Sequence, residues 1–226
     1  MIRTALILGA GPGLSTALAR ACSTAGMMVA LAARSVDKLE PLADQIGAKT
    51  YSCDASDPAQ VAQLFQRLDD ALPPVELAVF NPSMRLRGPI ETLDPAGVAQ
   101  VLSVGAYGGF LMAQQAATRM VTRGRGTILF TGASASVKGY AQSSPFAMAK
   151  FALRGLAQSL ARELAPKGVH VGHVVIDGRI RPGDTSDGDD AMLDPVAIAE
   201  AYLALHRQPR SAWTWEIELR PWRETF

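Results

Sequence analysis

The stretch "LILGAGPGLSTALAR", residues 6–20, restricts the fold more than any other part of the chain. A short apolar run leads directly into Gly9, Gly11 and Gly13, and apolar residues at helical spacing follow. A strand, a glycine turn and a helix in immediate succession open a parallel βαβ sheet. Such glycines let the backbone turn sharply and approach a phosphate, whose charge then lies against the free N–H groups and positive end of the helix. The G-x-G-x-x-G spacing fails because Leu14 stands where the third glycine belongs. Gly9 and Gly13 fit G-x-x-x-G-x-G instead, with Ser15 in the last place, so Gly9, Gly11, Pro12, Gly13 and Leu14 form the candidate phosphate turn.

The same alternation continues to the end of the chain. Strands are expected at 4–8, 27–33, 49–53, 76–80, 126–131, 170–176 and 213–219, and helices near 13–25, 36–46, 58–70, 95–122, 144–166 and 195–207. Several strands are apolar on both faces, as strands covered by helices on both sides must be. The expected architecture is therefore α/β: one domain over residues 1–226, a Rossmann-like doubly wound parallel sheet of about seven strands. Leu153, Leu156, Ala157, Leu160, Ala161 and Leu164 share one helix face, and Ser144 before Pro145 reads as its N-cap. Gly105, Gly108 and Gly109 imply a close approach between helices, since glycine otherwise weakens a helix interior.

With 22 basic and 21 acidic residues the formal charge is +1, and no run of like charges forms a stripe. Nucleic acid and anionic membrane are not expected as partners. No segment is expected to reach the length of a membrane span, and the opening apolar run is too short for a secretion signal. Cys22 and Cys53 have no metal or redox spacing, which suits reduced thiols in a cytoplasmic protein. The polar stretch 181–195 does not fit a calcium loop and reads as a solvated, mobile segment, so no metal site is expected.

The second strand ends "ALAARS", with Ala33 where an acid would hold an NAD ribose and Arg34 next to it. An arginine's charge and fork of donors suit a 2′-phosphate, so NADP is favoured over NAD. Asp54, with Ala55 beside it, could accept from the adenine amine or could cap the local turn.

These landmarks, in order, resemble the short-chain dehydrogenase/reductase family over nearly the whole chain. "VFNPS" resembles its N-N-A-G segment, with Asn81 on the second asparagine, and "FAMAK" resembles Y-x-x-x-K, with Phe146 on the tyrosine and Lys150 on the lysine. "SLARELAPKGVHVGHVVIDG" resembles the family's helix and sixth strand, with Asp177 and Gly178 where Pro-Gly is usual. The resemblance implies an oxidoreductase in which the tyrosine protonates the substrate oxygen and the lysine binds the nicotinamide ribose. It also implies departures: Gly105 at the catalytic asparagine and Ala133 at the serine, with Ser134 one residue on. Phe146 cannot donate a proton, which leaves Ser134, Tyr140 and Asp177 as candidate replacements and Lys150 as ribose holder; Gly178 and Asn81 would line the cofactor. His173 is expected to be a packed histidine. Arg179 and Arg181 could meet an acidic substrate or remain solvated. Trp213, Trp215 and Trp222 suit core and subunit interface in a homodimer or homotetramer. The expected function is an NADP(H)-dependent oxidoreductase of a small molecule; the alternative is an inactive NADP(H)-binding sensor or scaffold.

Overall fold

In a computed structural model, residues 2–182 and 188–224 are described. Seven strands, β1 (Thr4–Leu8), β2 (Met28–Ala33), β3 (Lys49–Ser52), β4 (Val75–Phe80), β5 (Gly126–Thr131), β6 (Val169–Ile176) and β7 (Glu216–Leu219), form one sheet. All pairings are parallel, in the order β3-β2-β1-β4-β5-β6-β7. The chain reverses its direction of travel across the sheet between β1 and β4, so a crevice opens above their carboxyl ends. The Rossmann-like α/β fold is the one expected.

Among the described residues the α-helices are α1 (Leu14–Thr24), α2 (Glu40–Ile46), α3 (Pro58–Ala71), α4 (Pro95–Leu102), α5 (Gly108–Arg123), α6 (Ser144–Leu164) and α7 (Pro195–His206). Leucine, valine and isoleucine side chains that alternate along the strands feed two cores, one on each face. Leu6, Phe80 and Phe130 meet α3, α5 and α6 on one side, while Ile7, Val79 and Leu129 meet α1 and α7 on the other. Asp57, Asp94 and Asp194 cap α3, α4 and α7 with their carboxylates, each directly before a proline at the first helical position.

Several boundaries differ from expectation. Ser143, not Ser144, is the N-cap of α6, and its side chain makes no capping bond; Ser144 is already helical. The helix expected at 95–122 is interrupted by a π turn at Ser103–Tyr107. The whole run Pro95–Arg123 is long and apolar enough to cross a membrane by length and composition, contrary to expectation, although here Val101, Met112 and Ala116 are buried in the protein. The glycines in it do allow close approach: a Cβ on Gly105 would stand 3.0 Å from Ala149 of α6, and one on Gly108 would stand 2.6 Å from the Ala55 carbonyl oxygen.

β7 begins three residues later than expected, because Trp213 stacks on His170 with ring centres 4.9 Å apart instead of extending the strand. Trp222 is mostly exposed and donates to the Asp189 carbonyl. Within the stretch 181–195, residues 183–187 lie outside the described residues. Its flanks are anchored rather than free: the Arg181 N–H donates to the Leu193 carbonyl, and the Arg181 guanidinium pairs with Asp194 at 2.9 Å.

One partly buried network fixes α6 against the sheet. Arg154 makes a bidentate pair with Glu216 at 2.6 and 2.7 Å, and the His173 Nδ1 lies 3.0 Å from the same carboxylate. His173 is fully buried, as expected of a packed histidine, and burial pushes its pKa down to about 4. It is therefore neutral at ordinary pH, with Nδ1–H donating to Glu216.

Candidate active site

A continuous trough crosses the carboxyl ends of the strands, its parts joined through residues they share, notably Asn81, Phe146 and Gly178. The glycine turn forms its floor at β1. Gly9 has a φ of +83°, and a Cβ there would stand 2.4 Å from the Pro82 nitrogen, so only glycine fits against the β4 loop. Gly13 has a φ of +85° and caps α1 with no side chain, which leaves the first-turn N–H groups open. At Gly11 and Gly13 a Cβ would stand in open space, so the turn presents bare backbone to the trough. The Asn81 Nδ2 donates to the Ser15 hydroxyl at 2.8 Å and ties the end of β4 to α1.

Arg34, Asp54 and Ala55 line the far end with Gly11 and Pro12. Asp54 takes the capping role: one carboxylate oxygen accepts from the Ser56 N–H at 2.9 Å and the Ser56 hydroxyl at 2.7 Å. Those bonds hold its pKa below the usual range, with the Arg34 charge adding to them. The Ala55 carbonyl can lie where it does because Gly108 has no side chain.

The middle of the trough, about 730 Å³, is large enough for a small-molecule site. It brings together Gly13, Leu14, Asn81, Phe146, Lys150 and Gly178. Phe146 and Lys150 project from successive turns of α6. The Lys150 ammonium is buried and donates to the Thr131 carbonyl at 2.8 Å. Burial, with the Arg85 charge nearby, lowers its pKa to about 8. Gly178 has a φ of +145°, and a Cβ there would stand 2.7 Å from Pro221.

Ser134 and Tyr140 line the near end beside Phe146. The chain leaves β5 into a 3-10 turn at Ser134–Ser136, so Ala133 and Ser134 both face this end. Asp177 does not line the trough, although Ile176 and Gly178 on either side of it do. Its buried carboxylate instead receives the Lys138 ammonium at 3.3 Å. The Lys138 pKa is raised, chiefly by that bond and further by the Tyr140 hydroxyl. Arg179 and Arg181 both line the middle of the trough.

Arg85, Arg87, Thr131 and Lys138 were not singled out from the sequence. The Arg85 guanidinium lies 4.5 Å from the Phe146 ring centre, and the Lys150 ammonium lies 5.8 Å from it. The sequence signal for the two arginines is "MRLRG", charge in the connection that follows the carboxyl end of β4.

The family profile described as short chain dehydrogenase matches residues 3–181, from β1 to just past β6. The chain belongs to the short-chain dehydrogenase family. A short-chain dehydrogenase from Rhodopseudomonas palustris superposes with a TM-score of 0.86 at 34% identity, over 97% of this chain and 99% of that one. A metagenomic short-chain oxidoreductase solved in complex with NADP gives a TM-score of 0.86 at 26% identity, over 97% of each chain. The D-threitol dehydrogenase of Mycolicibacterium smegmatis is 27% identical over 89% of this chain and 85% of its own length. This short-chain dehydrogenase is thus an oxidoreductase in type, and its trough lies within the matched residues apart from Pro182.

Proposed function

We propose that the protein is an NADP(H)-dependent oxidoreductase of a small molecule in which the proton does not come from a tyrosine on α6. The observation that carries this reading is the trough itself, where a bare glycine turn, Arg34 and a buried Lys150 line one continuous floor. The residues fit the cofactor. The open N–H groups of α1 suit its pyrophosphate and Arg34 its 2′-phosphate, with Ala33 offering no acid to repel it. Ala55 and Asp54 flank the adenine end, Asn81 and Gly178 flank the nicotinamide end, and Lys150 holds the ribose hydroxyls.

When bound, NADPH supplies a hydride to the substrate carbon. Phe146, at the tyrosine position of the family pattern, packs but cannot donate, while Gly105 and Ala133 stand at the asparagine and serine positions. Lys150 then donates to the ribose and to Thr131 rather than to a phenol. Ser134 and Tyr140 are the hydroxyls of the near end, and Tyr140 supplies the proton that balances the hydride. Lys138, tied to Asp177, orients that phenol. A carbonyl, an imine or an activated alkene each accepts a hydride on carbon and a proton on the adjoining atom. The exposed Tyr107, Phe110, Met148 and Phe151 on the α4–α5 and α6 surfaces support a homodimer or homotetramer, and the free buried Cys22 and Cys53 support a cytoplasmic setting.

The test is titration with NADPH and NADH, then stereospecifically deuterated NADPH with a panel of carbonyls, imines and enones. Label transfer to any of them supports the reading. Tight NADPH binding with no transfer overturns it in favour of a non-catalytic NADP(H)-binding sensor or scaffold, the reading that Phe146, Gly105 and Ala133 together favour. Failure to bind either cofactor removes both.

A further inference from the structure

The near end of the trough carries positive charge that no carboxylate among the described residues neutralises. Arg85 and Arg87 both line it, and neither forms an ion pair with a carboxylate among the described residues. Arginines with a structural task in this protein have partners, as Arg154 does in Glu216, Arg119 in Asp69 and Arg181 in Asp194. No aspartate or glutamate lines the middle or near end of the trough among the described residues. In a chain whose formal charge is only +1, this is a local concentration and not a general basic surface.

Arg85 is held by its surroundings, and the loop that carries both arginines is pinned. Arg85 stacks over Phe146, which is itself buried, so a phenyl ring serves as the platform for a guanidinium. The loop that carries both residues is pinned at Gly88, whose N–H donates to the Gln142 carbonyl at 3.1 Å. Gln142 has a φ of +59°, a conformation that non-glycine residues seldom adopt, and it lines the same end of the trough. The connection before α6 thus adopts an unfavourable backbone geometry at the point where it meets the arginine loop.

We propose that the near end is an anion subsite, in which Arg85 and Arg87 hold a carboxylate or phosphate group on the compound that is reduced. The two guanidinium forks match either oxyanion, and an acid-free wall leaves their charge to the ligand. The proposal rests on the oxidoreductase reading for the word "reduced", but the subsite itself is a statement about binding. Arg179 lines the middle of the trough and not its near end, where Arg85 and Arg87 are the lining cations among the described residues.

Isothermal titration calorimetry on the intact protein saturated with NADP⁺ tests this. The probes are glutarate and glycerol 3-phosphate, each paired with a neutral counterpart, dimethyl glutarate and glycerol. At least one anion should bind about tenfold more tightly than its counterpart, and the arm that does so tells carboxylate from phosphate. The double substitution Arg85→Gln with Arg87→Gln should abolish that preference and leave the NADPH affinity within about twofold of the parent. No preference for either anion, or a preference that survives the double substitution, overturns the proposal. The readout involves no turnover, so a protein that binds the anion yet transfers no deuterium keeps the subsite and loses the redox reading. Should NADP⁺ itself not bind, the same titration without it still turns on the double variant.

Discussion

The Asn81 side chain donates a 2.8 Å hydrogen bond to the Ser15 hydroxyl, joining the end of β4 to the first turn of α1 beneath the glycine turn. Ser15 is buried, and its own hydroxyl reaches back toward the Gly9 carbonyl at 3.4 Å. Where the family pattern has a third glycine, this chain therefore has a brace. Ser15→Ala should cost about 1 kcal/mol of stability by leaving the Asn81 amide without its partner. It should also weaken NADPH by roughly fivefold as the turn loosens. Urea unfolding and NADPH fluorescence titration check the two effects, and an unchanged cofactor affinity would confine the brace to stability.

Arg34→Ala should weaken NADPH much more than NADH, because the two cofactors differ only at the 2′-phosphate. A loss of about tenfold or more for NADPH, with NADH nearly unchanged, is expected from removing one charged phosphate partner. Equal losses would show that Arg34 does not face that phosphate.

Lys150 should leave a signature in the pH dependence of stability. Its folded pKa is about 8, against about 10.4 in an unfolded chain. Between those values the unfolded chain holds a proton that the folded one has released, so this group makes stability rise with pH, by roughly 3 kcal/mol in all. The buried Cys22 and Cys53 thiols, pushed up by burial to about 12 and about 11, act in the opposite direction at alkaline pH. Comparison with Lys150→Met removes that contribution, since both proteins share it. The stability difference between parent and variant, from urea unfolding at stepped pH, should climb in the parent's favour from about pH 8 to about pH 10. A flat difference would mean that the ammonium is not buried as described.

Gly108→Ala should damage stability and the adenine end together. Its Cβ would stand 2.6 Å from a backbone oxygen of Ala55, which cannot rotate away as a side-chain tip could. A cost of about 1–3 kcal/mol is expected from such overpacking. The midpoint of thermal unfolding should fall, and NADPH should bind more weakly. Gly109→Ala is the milder control, because its Cβ would meet a Leu153 methyl group instead.

Tyr140→Phe should lower turnover by about 10²–10⁴ if that phenol is the acid, with the affinity for NADPH unchanged. Ser134→Ala should have the smaller effect, as loss of one neutral hydrogen bond to substrate. Single-turnover rates on a substrate found in the deuterium panel distinguish the two, and an undiminished rate in Tyr140→Phe would remove the phenol from the mechanism.

The sheet was legible because period-two and period-3.6 patterns are local, and the glycine turn because only glycine allows the backbone geometry at Gly9 and Gly13. The interruption at Ser103–Tyr107 was not, since one extra residue in a helical turn leaves no mark on an apolar stretch. The start of β7 was misplaced because Trp213 is as apolar as any strand residue, and only the ring of His170, distant in the chain, takes it out of the strand. At the site, Lys150 and Asn81 were legible only through the resemblance of "FAMAK" and "VFNPS" to segments of the family pattern. Ser134 stands one residue beyond the serine position of the family pattern, and only the 3-10 turn at Ser134–Ser136 shows that both it and Ala133 line the near end. Arg85 and Lys138 hang from irregular segments, and their partners lie far away in sequence: Phe146 for one, Asp177 for the other.

The trough is lined by two kinds of position that differ in how freely they can change. Gly9 and Gly178 are locked by Pro82 and Pro221 behind them, so no side chain can be introduced at either without moving the sheet's edge. Arg85, Arg87 and Tyr140 are exposed, on connections whose sequence the core does not dictate. On the proposed reading, laboratory evolution can therefore redirect substrate choice by randomising Arg85 and Arg87, two loop positions, with Tyr140 kept and the floor beneath the cofactor inherited unaltered.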